Sequence, residues 1–233
     1  LKPNNRSIPS WYKLTNFLNK NNLKNITLNY CDLFNYSEFT SFIYFFEKNK
    51  ADLITADGGF DYSNNFNTQE EQSYKIIYSE IIMALLTQNI KGNFILKIFD
   101  CFTIFTMKCI YLLLYFYDKV YIYKPLTSRI ANSEKYIICK NFKGIKNDIK
   151  NILLKSILNF EDGFIDINNL RITNDFIYKL DKFNREQVTK QIKNIEETID
   201  LIKNKNNVEN LNSKQIDIAK EWCKTFNFNI SNN

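Results

Sequence analysis

Asp57, Lys97 and Glu134 are the residues whose types and places in this chain point to proton chemistry. Asp57 lies in Ala56-Asp57-Gly58-Gly59, directly after the run Asp52-Leu53-Ile54-Thr55. Only five glycines occur among the 233 residues, so an adjacent pair marks a place where the backbone must turn freely. An acid at the end of a buried strand, followed by such a turn, is how open α/β sheets present a carboxylate at their ligand edge. Gly92-Asn93-Phe94-Ile95-Leu96-Lys97 puts a lysine at the end of an apolar strand. Ser133-Glu134-Lys135-Tyr136-Ile137-Ile138 puts a glutamate at the start of another. Strand ends of one parallel sheet share an edge, so Asp57 and Lys97 are expected close together, with Glu134 entering from the next loop. A lysine acts as a general base only once its proton is lost, which adjacent carboxylates oppose; the two acids would therefore mainly orient it. The same residues also read as edge charges of an ion-pair network, and spacing alone leaves both readings open.

Composition narrows the chemistry. The chain has no histidine, which excludes within it a Ser-His-Asp triad, a Cys-His pair and a His-liganded zinc site. The remaining glycines, Gly92, Gly144 and Gly163, allow neither a G-x-G-x-x-G turn nor a P-loop. Cys31, Cys101, Cys109, Cys139 and Cys223 are odd in number and lack C-x-x-C spacing, so they are expected as free thiols, with no metal bound. A net charge of +6, spread over many lysines, suits a polyanionic partner and equally a solvated lysine-rich surface. No signal-peptide pattern is visible, and the opening Leu1-Lys2-Pro3 reads as the start of a fragment or a processed chain. Cys101 to Tyr117 is apolar enough to resemble a membrane span, but Lys108 and the flanking Asp100 and Asp118 favour a helix buried on a sheet.

The elements that must position these residues alternate in type. Strands are expected at 26–31, 52–56, 93–99, 119–123 and 135–140, and helices at 37–48, 68–88 and 103–117. This pattern implies an α/β fold: a mostly parallel sheet covered on both faces, with 119–123 and 135–140 as an antiparallel hairpin. After Lys143 the pattern becomes helical, at 146–160, 173–204 and 213–226, and Glu196, Glu197 and Asp200 read as a solvated helix face.

The wording of four segments adds a resemblance. Thr55-Ala56-Asp57-Gly58-Gly59, Gln69-Glu70-Glu71, Gly92 to Lys97, and Lys124-Pro125-Leu126-Thr127-Ser128-Arg129-Ile130-Ala131-Asn132-Ser133-Glu134-Lys135-Tyr136 together resemble the FtsJ-type 2′-O-ribose RNA methyltransferases. The likeness is greatest to the eukaryotic and large-DNA-virus enzymes that form cap 1 on messenger RNA. It implies a Rossmann-like sheet that binds S-adenosylmethionine, with residues 1–143 as the carboxyl-terminal portion of the methyltransferase domain and 144–233 as a helical annex. Of the family's Lys-Asp-Lys-Glu set, Asp57, Lys97 and Glu134 match the last three members. The first lysine, the cofactor's glycine loop and the first strand are expected upstream in the same polypeptide. Asp32 matches the acid that contacts the cofactor's adenine amino group, and Asp57 lies at the cofactor edge. Ile130 replaces the proline usual in this loop, which bears on loop rigidity.

The resemblance implies methyl transfer to a ribose 2′-hydroxyl without a metal, on the first transcribed nucleotide of capped mRNA. Arg129, Asn132 and Ser133 are the candidates for gripping the RNA, or else for hydrogen bonds within their own loop. Phe60 and Tyr62 are candidates for stacking a cap base, against a core role. The implied partners are capped RNA and the upstream polypeptide or other capping subunits, with no membrane. The expected location is the cytoplasm, with a viral factory, a virion or the nucleus left open. A non-catalytic methyltransferase-like scaffold, or an enzyme for ribosomal or transfer RNA, remains as an alternative.

Overall fold

The computed structural model describes residues 31–60, 65–125, 127–158, 171–204 and 208–230. The chain divides into two compact units, residues 1–50 and 51–233. In the first, helix α1 (Tyr36–Phe45) starts at Asn35, whose side-chain oxygen accepts from the N–H groups of Ser37 and Glu38 at 3.0 and 3.3 Å. This satisfies two of the amides that a helix start leaves unpaired. Phe39 and Ile43, four apart on one face, are its buried residues. The strand expected at 26–31 lies, except for Cys31, outside the described residues.

The second unit runs β1 (Ala51–Ala56), a 3₁₀ turn (Phe66–Thr68), α2 (Gln69–Gln72), α3 (Tyr74–Thr87), β2 (Gln88–Ile98), α4 (Ile104–Phe116), β3 (Tyr117–Tyr123) and β4 (Lys135–Phe142). Three helices follow: α5 (Asn147–Leu158), α6 (Asn174–Asn204) and α7 (Val208–Thr225). The sheet has four strands in the order β1-β2-β4-β3. β1 pairs parallel with β2, and β4 pairs antiparallel with both β2 and β3. The sheet is therefore mixed, although β1, β2 and β3 point the same way and end at one edge. The hairpin of β3 and β4 has the expected form, with Tyr123 opposite Tyr136 and Tyr117 opposite Phe142.

Period-two alternation buries Phe94, Leu96 and Ile98 of β2 beside Ile137 and Cys139 of β4, while Ile95, Lys97, Tyr136 and Ile138 between them stay half-buried. Among the described residues one sheet face is thus fully buried and the other partly open, not covered equally. α3 packs on β1 and β2, α4 packs on β3 and β4, and the two helices pack on each other. α3 is apolar nearly all round, as a helix enclosed by other elements must be. No described helix is long and apolar enough to cross a membrane. Within the segment from Cys101 to Tyr117 lies α4, with Cys109, Ile110, Leu112 and Leu113 buried.

Three expectations need correction. The single helix expected over 68–88 is interrupted at Ser73, whose N–H is shared between the Gln69 and Glu70 carbonyls at 3.2 Å each while its hydroxyl also donates to the Gln69 carbonyl at 2.6 Å, a crowding that bends the helix. β1 is less buried than its apolar sequence implied, with Leu53 59% exposed, because only β2 flanks it among the described strands. β2 begins at Gln88 rather than 93, through an irregular pairing that sets Ala51 opposite Gln88 and Leu53 opposite Asn93. Gly92 permits this: a Cβ there would lie 2.8 Å from the Asn89 carbonyl oxygen and 3.0 Å from that of Asp52.

Candidate active site

The parallel register sets Ala56 opposite Leu96, so the next residues along each strand, Asp57 and Lys97, meet at the carboxyl edge. The Lys97 ammonium makes an ion pair with the Asp57 carboxylate and lies 3.5 Å from the Asp57 carbonyl oxygen. Lys97 is 17% exposed and Asp57 73%, so the lysine is anchored in the sheet edge while the acid reaches into solvent. The ring of Phe99 lies 5.6 Å from the Lys97 nitrogen, within range of a cation–π contact.

β4 brings the third residue. Tyr136 pairs with Lys97 across the antiparallel ladder, and residues directly opposite project on the same face. The Tyr136 hydroxyl donates to Glu134 Oε1 at 2.8 Å. That bond, with some burial, pushes the Tyr136 phenol up to about 12, so it remains a donor at neutral pH. Glu134 thus joins the group through Tyr136, without a direct ion pair to Lys97 among the described residues.

α3 contributes a carboxylate that the motif reading did not single out. Glu80 Oε1 accepts from the Gly58 N–H at 2.7 Å, at the turn that follows Asp57. Burial pushes the Glu80 carboxyl up to about 7; the Gly58 bond and the charge of Lys97 pull the other way, and Asp57 adds to the rise. A signal was present in the sequence: Glu80 is the one charged residue in the run Ile76-Ile77-Tyr78-Ser79-Glu80-Ile81-Ile82.

The loop from Lys124 to Glu134 is held by Lys124. Its ammonium donates to the Asn132 carbonyl and side-chain oxygens at 2.9 and 2.7 Å and to the Glu134 carbonyl at 2.9 Å. Partial burial holds the Lys124 ammonium below the usual lysine range. The Asn132 carbonyl also accepts from Gln191 of α6 at 2.9 Å, and the Ser133 hydroxyl donates to Gln69 Oε1 at 3.0 Å. Asn132 and Ser133 therefore make hydrogen bonds that shape the loop, whereas Arg129 is exposed. A cavity of about 610 Å³ opens here, lined by Asn67, Gln69, Arg129, Asn132, Ser133 and Glu134.

Asp32 belongs to the first unit. Its Oδ1 accepts from the Phe34 N–H at 2.9 Å, and its own N–H donates to Glu38 Oε2 at 2.8 Å, which fixes the turn into α1. Phe60 is half-buried, and Tyr62 lies outside the described residues.

The chain is similar to proteins of known name. The chain is 38% identical over 122 residues to cap-specific mRNA (nucleoside-2'-O-)-methyltransferase 1 of Mus musculus, covering 50% of this chain and 14% of that protein. It is 36% identical over 124 residues to the protein of that name from Trypanosoma brucei brucei, covering 53% and 33%. The chain thus spans a third or less of the length of these relatives. A ribosomal RNA methyltransferase structure from Plasmodium falciparum aligns with 46% of this chain and 54% of its own, at 23% identity and a TM-score of 0.37. Residues 2–142 match the family model described as FtsJ-like methyltransferase, a span that contains Asp57, Lys97 and Glu134, and the chain belongs to that family.

Proposed function

We propose that this chain carries the catalytic edge of a ribose 2′-O-methyltransferase acting on RNA, with the first transcribed nucleotide of capped mRNA as its target. The observation that carries the reading is the Asp57–Lys97 ion pair at the carboxyl edge of a sheet in the FtsJ-like family. The choice of capped mRNA draws its support from the names of the relatives in mouse and trypanosome.

Methyltransferases of this family draw the methyl group from S-adenosylmethionine. The donor set at the edge suits such a ligand: the exposed carboxylate of Asp57 and the carboxylate of Glu134 are groups that a sulfonium cation favours. Asp57, largely exposed, would face the cofactor. The cofactor supplies an electrophilic methyl group. Lys97 takes or polarises the proton of the ribose 2′-hydroxyl as its oxygen becomes the nucleophile. Asp57 holds the lysine from one side, and Glu134, braced by Tyr136, orients the ribose from the other. Arg129, exposed at the cavity that Asn132 and Ser133 also line, would meet a phosphate. Capped RNA and other capping subunits are the proposed partners, and the cytoplasm is the proposed location.

The test compares one short RNA bearing a 7-methylguanosine cap, an unmethylated cap or a 5′ triphosphate, with the complete polypeptide and S-adenosylmethionine. Faster transfer to the methylated cap is expected. Equal rates on all three would overturn the cap assignment, and no transfer to any would overturn the enzyme.

A further inference from the structure

The turn between Asp57 and Gly59 rests directly on helix α3. A Cβ at Gly58 would lie 2.4 Å from Glu80 Oε1, 2.6 Å from Ile76 Cδ1 and 2.9 Å from Ile76 Cγ1. Only glycine lets the backbone approach so closely, and the approach delivers the Gly58 N–H to Glu80 Oε1. We propose that Glu80 is a positioning residue for the transfer site: by holding the Gly58 amide it fixes the direction in which Asp57 leaves β1 and meets Lys97. The inference rests on the functional reading above.

Glu80 sits where a carboxylate is unfavourable. It is 8% exposed, on a helix whose neighbours Ile76, Ile77, Ile81 and Ile82 are all buried, and its Oε2 has no hydrogen-bond partner among the described residues. A buried polar oxygen left unpaired is destabilising, because it gives up its bonds to water and gains none in the protein. An apolar residue of similar size would suit the helix better. What the glutamate supplies is the single acceptor that reaches the Gly58 amide from α3. The strand end could not do this itself, because after Ala56 the β1–β2 ladder ceases and the Gly58 amide passes beyond the strand bonds. Asp57 is 73% exposed and has little packing of its own to aim it, so its direction depends on the residues beside it in the chain.

The account separates stability from rate. In the complete polypeptide, Glu80→Leu removes the acceptor and the unpaired oxygen together. It is expected to melt at or above the wild-type temperature while kcat falls tenfold or more and KM for RNA stays within threefold. Glu80→Gln keeps a carbonyl acceptor for Gly58 and is expected to recover most of the rate. A readout independent of activity is the Lys97 side-chain resonance in ¹³C-lysine-labelled protein, which should move in the leucine variant and lie near its wild-type position in the glutamine variant. If the leucine variant does not fold, Glu80→Met replaces it. Wild-type kcat in the apolar variant, an unmoved Lys97 resonance, or a glutamine variant as slow as the apolar one would each overturn the positioning role. A wild-type protein that transfers no methyl group would instead defeat the functional reading, and the Lys97 resonance would still decide the role of Glu80.

Discussion

Lys97 is the residue on which the proposed chemistry turns, and its contacts make the expected phenotype specific. Its ammonium meets a carboxylate that is mostly in solvent, so shortening the side chain opens no core cavity. Lys97→Ala should lose roughly 10²- to 10⁴-fold in transfer rate, the range typical of removing a general acid or base, while thermal melting stays near wild type. Lys97→Arg should remain nearly inactive, because a guanidinium keeps its protons and preserves only the charge. An active arginine variant would reduce Lys97 to a source of positive charge. Glu80 carries a prediction in pH. Its folded-state carboxyl titrates near 7, above the ordinary value of 4.5, so the folded protein keeps this proton where the unfolded chain has released it. Stability from this group is therefore present below about pH 4.5 and lost as pH rises toward 7, by roughly 3 kcal/mol in all. Thermal melts of wild type and Glu80→Gln across pH 5 to 8 should diverge, with the glutamine variant lacking this part of the decline. Parallel curves would show that Glu80 does not titrate there.

At the level of elements, α4 starts on a side chain borrowed from α2. The buried Glu70 carboxylate accepts from the N–H groups of Phe102 and Thr103 at 3.1 and 3.0 Å and from the Thr103 hydroxyl at 2.7 Å, while Thr103 itself caps the helix. A negative charge at a helix start also opposes the positive end of its dipole. Glu70→Ala should therefore lower stability by about 2 kcal/mol or more, measured by denaturant melts, since it strands two amides. A change under about 0.5 kcal/mol, the usual scale of surface substitutions, would mean that water replaces the carboxylate without loss. The strands and long helices were legible from the sequence because period-two and apolar patterns report the face that each element buries. The meeting of Asp57 and Lys97 was legible because parallel strand ends share an edge. The break at Ser73 was not, since it depends on one hydroxyl choosing a local carbonyl. The role of Lys124 was hidden in a quoted motif, because only the folded loop shows three carbonyl or amide oxygens converging on one ammonium. Arg129, Asn132 and Ser133 looked equivalent in sequence, and the structure separates the exposed arginine from two residues that tie the loop down.

For the molecule as a whole, the +6 charge and the absence of a G-x-G-x-x-G turn act at different steps. RNA binding should weaken steeply with salt, because each phosphate contact by lysine or arginine releases condensed counterions. Flat affinity between 50 and 200 mM salt would argue against a phosphate-tracking surface. The 233 residues alone should bind S-adenosylmethionine poorly by calorimetry, since no G-x-G-x-x-G turn of the kind that cradles a nucleotide-like cofactor is written in them. Micromolar binding would mean that the cofactor site is built differently. The most direct test of the account is the position of the transferred methyl group. Capped RNA treated with the complete polypeptide, then digested and analysed by mass spectrometry, should carry one new methyl on the ribose 2′-oxygen of the first transcribed nucleotide, and none with Lys97→Ala. A methyl group on a base, or an undiminished ribose methyl with the alanine variant, would contradict methyl transfer at the Asp57–Lys97 edge.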